Sequence, residues 1–150
     1  MRTSIFILVL CLAFFPAAGA QGLRLLPDPR LTPGDAFDVT ASDLCRPGYR
    51  SPADRVPIAL KRQVFDRYRI PGNEVGYHVD HLIPVGLGGS NSISNLWPQS
   101  LSAEWGWERK NKLERKLSKM ICTGELDLKT AQREIAADWI AAYKKYVREP

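Results

Sequence analysis

The chain has 150 residues, of which 45% are apolar and 25% charged, and its 21 Lys and Arg outweigh 16 Asp and Glu to give a net charge of +5. A chain of this length can bury a single core, and its composition, which has no internal repeat or low-complexity segment, argues against a second domain. The positive charge suits a polyanionic partner, but many basic proteins bind none, so charge alone carries no functional conclusion.

The first twenty residues have the features of a secretory signal. Arg2 supplies a positive start, residues 5–15 form an apolar run, and residues 18–20 (Ala-Gly-Ala) offer a cleavage site before Gln21. A membrane anchor is the alternative, but the apolar run falls well short of the roughly 20 residues that cross a bilayer. We therefore expect a secreted or periplasmic protein, no longer bound to a membrane after cleavage, with 20 basic and 16 acidic residues and a net charge of +4.

Cysteine usage agrees with export. Cys11 leaves with the signal, and the two remaining cysteines are Cys45 and Cys122. In an oxidising compartment we expect these two to form a disulfide, which would stabilise the fold by about 4 kcal/mol in the chain-entropy model. Two free thiols are the alternative, and the spacing excludes a Cys-x-x-Cys zinc knuckle.

The predicted elements begin after an irregular N-terminal part. Residues 21–57 contain several prolines and glycines with little periodicity, which predicts an extended arm and then a basic loop. The first helix is predicted over residues 58–68 and ends at Pro71-Gly72. Four of its side chains share one face: Ile58, Val64, Phe65 and Tyr68.

A two-stranded hairpin is predicted next. The alternation of Val75, Tyr77 and Val79 with polar residues indicates a strand that leads into Asp80-His81. A loop rich in Gly, Ser and Asn follows, and Leu96-Trp97-Pro98 returns the chain to apolar packing. The core is the expected place of Trp97, with base stacking as the alternative.

Two helices complete the prediction. Ser102 is the expected cap of a helix that continues to about Cys122, with basic residues around its apolar stripe. Asp127 is the expected cap of a last helix, whose apolar residues, including Trp139, repeat every three or four positions. The order arm, helix, hairpin, helix, helix predicts an α+β fold.

The stretch from Tyr77 to Glu114 carries the functional information. It holds Asp80-His81 at a strand end, a glycine-rich loop, Asn95-Leu96 about fourteen residues later, and Asn111 on the following helix. In this order and spacing the chain resembles the HNH, or ββα-metal, nuclease family. The resemblance extends to a secreted subgroup with a Cys-x-Pro-Gly and a Cys-x-Gly-Glu segment, found here at the two cysteines. It implies a ββα-metal core within a nuclease domain over residues 58–150, with a preceding helix and a C-terminal helix.

The resemblance also implies a chemistry, the metal-dependent hydrolysis of phosphodiester bonds in DNA, with RNA as the alternative. His81 would be the general base, because an imidazole can accept a proton from water near neutral pH. Asp80 and Asn111 would hold a divalent cation, Mg²⁺ first, then Mn²⁺, with Zn²⁺ less suited to oxygen ligands. Asn95 would hold the loop against the strand and so fix the histidine.

Two features depart from the usual family pattern. The helix residue that is commonly a second histidine is Asn111 here, and the paired zinc-binding cysteines of many members are absent. An asparagine oxygen favours Mg²⁺ or Mn²⁺ over zinc or nickel. The expected disulfide would supply the stability that the zinc-binding cysteines provide elsewhere.

Several residues near this motif have two interpretations. His78 is a third ligand or substrate contact, or else a solvated strand histidine, and Glu108 is an extra ligand or an ion-pair partner of Lys112. The basic residues around Asn111 are phosphate contacts, or else an ordinary solvated helix face. The expected phosphate contacts are Arg109, Lys110, Lys112 and Arg115.

The sequence is compatible with two other functions. One is a catalytically silent ββα module that binds nucleic acid or another polyanion, and the other is a disulfide-linked helical protein in which Asp80-His81 only holds a structural metal. For the nuclease we expect a monomer that cuts without base-specific contacts, because no second reading domain is visible. Whether an inhibitor protein binds it is left open.

Overall fold

The computed structural model describes residues 26–70 and 75–147. The proposed signal at residues 1–20 and the helix stop at Pro71-Gly72 lie outside these ranges. The fold is α+β, as predicted, and no helix within the described ranges is long and apolar enough to cross a bilayer. The elements are α1 (Ala41–Cys45), α2 (Ile58–Arg67), β1 (Tyr77–His81), β2 (Leu96–Ser100), α3 (Trp107–Cys122) and α4 (Leu128–Tyr146).

Strands β1 and β2 form the predicted hairpin. They pair antiparallel, with Tyr77 opposite Ser100 and His81 opposite Leu96. The connection between them folds back tightly, and a Cβ atom on Gly89 would overlap the backbone carbonyl of Ile83. Only glycine fits this position. The connection can therefore approach the end of β1 only because residue 89 has no side chain.

Helices α3 and α4 cover the hairpin connection with their apolar faces. Trp97 and Trp139 are both buried in this core, as predicted. The buried cluster also contains Leu82, Ile83, Leu87, Leu113, Leu117, Ile121, Leu128, Ala131, Ile135, Ala142, Tyr143 and Val147. Removing this apolar surface from water is the main driving force for packing α3 against α4 and the hairpin connection.

The predicted disulfide is confirmed. Cys45 at the end of α1 is bonded to Cys122 at the end of α3, with a Cα–Cα distance of 5.5 Å. The bridge therefore ties the N-terminal part of the chain to the helix that flanks the strand end.

Residues 21–57 are predicted as an extended arm followed by a basic loop, and the arm prediction is wrong where the chain reaches residues 36–45. Thr40 caps the short helix α1 in a reciprocal capping box with Asp43. Ala36 forms a β-bridge with Gly89, and Leu44 packs against the core. This segment packs as part of the domain, and its helix is too short to show a periodicity in the sequence.

Two predicted boundaries also shift. Helix α3 begins at Trp107 instead of Ser102, because the Ser100 hydroxyl accepts the backbone N–H groups of Ser102 and Ala103 and holds this stretch in a turn. At the other boundaries, Ile58 is exposed and does not share the buried face of α2, and Val75 is exposed before β1 begins.

Helix α4 starts as predicted but contains an unpredicted break. The Asp127 side chain accepts the backbone N–H of Thr130, which confirms the cap. At Asp138 the backbone leaves the helical region, and the Asp138 carboxylate accepts the N–H groups of Ile140 and Ala141. Asp138 therefore acts as a second N-cap and restarts the helix.

Candidate active site at the end of strand β1

Strand β1 ends with the two residues that the sequence singles out, Asp80 and His81. Successive side chains of a strand point to opposite faces, so the two lie on different sides of the strand end. Asp80 lies against helix α3, where it meets the side chain of Lys110, and His81 meets the loop that connects β1 to β2. Asp80 and His81 therefore have different neighbours, helix α3 for Asp80 and the connecting loop for His81.

Asn95 holds this connecting loop in place. Its side chain is fully buried, and its Oδ1 accepts the backbone N–H groups of Ile83 at 2.8 Å and Asp35 at 3.3 Å. Its Nδ2 donates to the carbonyls of Ile83 and Ser90, each at 3.0 Å. One amide thus joins the chain after β1, the glycine-rich loop and the N-terminal segment.

His81 lies against Asn91 in the same loop. The Nε2 atom of His81 is 2.8 Å from Asn91 Oδ1, and Asn91 Nδ2 donates to the backbone carbonyl of Arg55 at 2.8 Å. Burial lowers the pKa of the His81 imidazole below its usual value, although the Asn91 bond and the Asp80 charge oppose this. The ring is therefore neutral at neutral pH and able to accept a proton.

Lys110 lies in a different environment from the one the sequence predicted. Its side chain is fully buried, and its ammonium donates to the His81 backbone carbonyl at 2.6 Å and to Glu114 Oε1 at 2.6 Å. It also lies 2.9 Å from Asp80 Oδ2. The expectation that Lys110 contacts phosphate is corrected, because three oxygens inside the protein surround the ammonium.

The Lys110 ammonium stays charged in this buried position. Burial alone would lower its pKa, but the adjacent Asp80 and Glu114 carboxylates outweigh burial and raise the pKa of Lys110. Glu114 differs, since burial raises its pKa even with Lys110 beside it. A buried ammonium is tolerated only with such partners, because leaving one uncompensated costs several kcal/mol.

The donor atoms near Asp80 fit a hard, largely hydrated cation. Asp80 Oδ2 is buried against Lys110, yet the side chain is 19% exposed, which leaves Oδ1 as its accessible oxygen. Asn111, the next residue on α3 after Lys110, is half-buried, and its amide oxygen would be the second ligand that the resemblance implies. Mg²⁺ keeps several waters and needs few protein ligands, so this small set suffices. Within the described ranges, no three His, Cys, Asp or Glu side chains form a metal-binding group.

The four expected phosphate contacts do not form one surface. Lys110 is buried, and Arg109 is held by Glu104 at 3.0 Å and stacks on Trp105 at 4.6 Å. Lys112 lines a groove between α3 and the end of α4, beside Lys116 and Lys145. Arg115 is exposed and lines another groove with Glu114 and the turn at residues 84–87. Arg115 therefore shares a groove with a residue of the Lys110 cluster.

The structure also gives the positions of His78 and Glu108, for which the sequence allows two interpretations each. His78 is half-buried opposite Gln99, and burial lowers the pKa of its imidazole. Its Nδ1 is buried without a hydrogen-bond partner among the described residues. Glu108 is exposed and lines a third groove with residues 101–104 and Arg109.

Sequence reasoning missed Asn91 and Glu114 as members of the site. Asn91 was visible only as part of a turn-rich loop, and nothing local indicates that it faces His81 and Arg55. Glu114 did carry a signal, because it lies four residues after Lys110, a spacing that places the two side chains together on a helix. Lys110 also falls in register with the buried stripe at Leu113, Leu117 and Ile121.

Comparisons with models of known protein families, with curated proteins and with solved structures find no match for this chain.

Proposed function

We propose that this chain is a metal-dependent endonuclease of the HNH type that hydrolyses phosphodiester bonds, with DNA as the favoured substrate. One observation supports this most directly: Asp80 and His81 end the same strand on opposite faces, each held by its own partners against α3 or the loop. The neutral imidazole suits a general base and the carboxylate suits a cation ligand. The order strand, glycine-rich loop, strand, helix agrees with the family that the sequence resembles.

In the proposed reaction, His81 accepts a proton from a water molecule as the water oxygen bonds to phosphorus. The bond from phosphorus to the 3′ oxygen breaks, and that oxygen takes a proton from solvent. Asp80 and Asn111 would hold the divalent cation, which when bound supplies positive charge to the phosphate and the departing oxygen. Asn95 keeps the loop, and with it the histidine, against the strand end.

Secretion or transfer to the periplasm is part of the proposal. The disulfide supports it, because such bonds persist in oxidising compartments. The predicted signal at residues 1–20 points in the same direction. Protein sequencing of the N-terminus of the exported chain tests this, and a start at Gln21 is expected.

The test of the activity is nicking of supercoiled plasmid by the oxidised protein with Mg²⁺, Mn²⁺ or EDTA. We expect cleavage with either ion and none with EDTA, and a loss of about 10²–10⁴-fold in rate for His81→Ala. His78→Ala is the matched control, since it removes a half-buried histidine from the same strand, and we expect a smaller effect. Cleavage that survives EDTA or His81→Ala would contradict the mechanism.

The silent binding module is the second candidate, and one observation favours it. The Lys110 ammonium already compensates Asp80 and Glu114, so part of the negative charge that would attract a metal is neutralised inside the protein. DNA binding measured by fluorescence anisotropy decides between the two. Binding by a folded protein that nicks DNA with neither ion would establish this second candidate.

A further inference from the structure

The side chain of Asn91 connects the His81 ring to a distant segment of backbone. Asn91 Oδ1 lies 2.8 Å from His81 Nε2, and Asn91 Nδ2 lies 2.8 Å from the carbonyl oxygen of Arg55, which is 36 residues away in the chain. His81 and Asn91 are half-buried, so the bond between them is partly shielded from water, whereas the bond from Asn91 to Arg55 is exposed. The amide therefore has two fixed neighbours on opposite sides.

These two contacts determine where the protons lie. A backbone carbonyl oxygen can only accept a hydrogen bond, so the amide NH₂ of Asn91 must face Arg55. The amide oxygen then faces His81, and because this oxygen also only accepts, His81 Nε2 must carry the proton. In the neutral ring the other nitrogen, Nδ1, is then left with the lone pair.

We propose that Asn91 is a positioning residue that holds His81 in the Nε2–H tautomer, so that Nδ1 is the atom that accepts the proton from water. The catalytic consequence rests on the proposed nuclease function, whereas the tautomer itself does not. When Nδ1 takes a proton the ring becomes a cation, and the Nε2–H bond to Asn91 stays in place. The Nδ1 proton then passes to solvent before the next cycle.

A neutral amide suits this role better than a carboxylate. A carboxylate at the same place would also orient the ring, but its charge would favour the imidazolium, which cannot accept a proton. Asn91 orients the ring without adding a charge. On the other side of the strand end, the Asp80 charge is partly compensated by Lys110.

The test is ¹⁵N NMR of the metal-free protein at pH 8, where the ring is neutral, because the chemical shift of each ring nitrogen distinguishes a protonated from a bare atom. We expect protonated Nε2 and bare Nδ1 in the wild type. Asn91→Ala, which removes the acceptor facing Nε2, should give a mixture of tautomers. Arg55→Ala is the matched control, since it keeps the carbonyl that Asn91 uses and should leave the tautomer unchanged.

Two results would overturn the inference: Nδ1–H in the wild type, or the same Nε2–H population in Asn91→Ala. The His78 signals and the far-UV spectrum report whether each variant is folded. In nicking assays Asn91→Ala should lower kcat by about tenfold with little change in KM, since orientation and not binding is lost. A tautomer that depends on Asn91 in a protein that cuts no DNA would leave the positioning role intact and remove the proposed function. Cleavage with an Asn91-independent tautomer would do the reverse.

Discussion

Asp80 and His81 are neighbours in the chain, yet the protein holds them by opposite means. On the α3 side, Asp80 lies with Glu114 around the buried ammonium of Lys110. On the loop side, His81 is oriented by the uncharged amide of Asn91. We call Lys110 and Glu114 the charged support of Asp80, and Asn91 the neutral support of His81.

The difference follows from what each group would do in the proposed reaction. Asp80 would offer its free carboxylate oxygen to a cation, and the buried ammonium of Lys110 holds the other oxygen in place. His81 must remain uncharged to accept a proton, and a neutral partner adds no charge to its surroundings. The charged support is also the one whose loss leaves the larger desolvation penalty, because an unpaired buried charge costs more than an unpaired amide.

The largest expected effect comes from removing the central charge. Lys110→Met should lower the free energy of unfolding by about 3–5 kcal/mol, because Asp80 and Glu114 lose their shared counter-ion. Urea unfolding of the metal-free protein measures this. Lys116→Met, which changes an exposed lysine on the same helix, is the control and should cost about 0.5 kcal/mol or less. Equal losses for the two variants would contradict the charged support.

The loop side should respond less, and mainly through Asn95. Asn95→Ala leaves buried N–H and C=O groups of Ile83 and Ser90 without partners, for which we expect a loss of about 2–3 kcal/mol in the same urea experiment. Asn91→Ala should cost about 1 kcal/mol or less, since its amide is only half-buried. If Asn91→Ala proved as destabilising as Asn95→Ala, the two amides would not have the separate roles assigned to them.

The pH dependence of stability provides a weaker test of the neutral support. Burial lowers the pKa of both His81 and His78 in the folded protein, so the unfolded chain takes up protons at a higher pH than the folded one. Stability from this source is complete above about pH 6.5, the ordinary histidine value, and falls as the pH drops below it. Unfolding of the EDTA-treated protein between pH 7 and 5 should show this loss, and His81→Asn should make the slope shallower. An unchanged slope in that variant would contradict a lowered His81 pKa.

The smallest effect concerns the basic residues around the site. Arg115→Ala should weaken DNA binding by a few-fold, since Arg115 is exposed beside Glu114. The slope of log binding constant against log salt concentration should fall by about the amount that one phosphate contact contributes. Arg109→Ala should have less effect, because Glu104 and Trp105 already hold that guanidinium. Fluorescence anisotropy at several salt concentrations compares them, and a larger loss for Arg109→Ala would contradict this assignment.

Local patterns predicted most of the fold. The apolar period indicated α2 and α4, the alternation before Asp80 indicated β1, and two cysteines after a predicted export signal indicated the disulfide. The boundaries that failed depend on a single side chain, such as the Ser100 hydroxyl that delays α3. The break at Asp138 was hidden because the apolar stripe continues across it.

The sequence predicts which residues belong to the site, but it does not predict which side chains contact one another there. The sequence identified Asp80, His81 and Asn95, while the partner of His81 depends on bonds that cross 10 and 36 residues of chain. Lys110 was assigned to the surface because lysine usually lies there, although its position on the buried stripe argued otherwise. For Lys110, the position on the helix is a better guide to burial than the charge of the side chain.

The burial of Lys110 also makes it a natural reporter of local opening. All other lysines among the described residues are exposed and should react quickly with an acylating reagent. The Lys110 amine can react only when α3 separates from the end of β1, so its labelling rate measures how often that separation occurs. Mass spectrometry of a labelling time course would therefore give the opening free energy at the proposed active site directly, in the native protein and without denaturant.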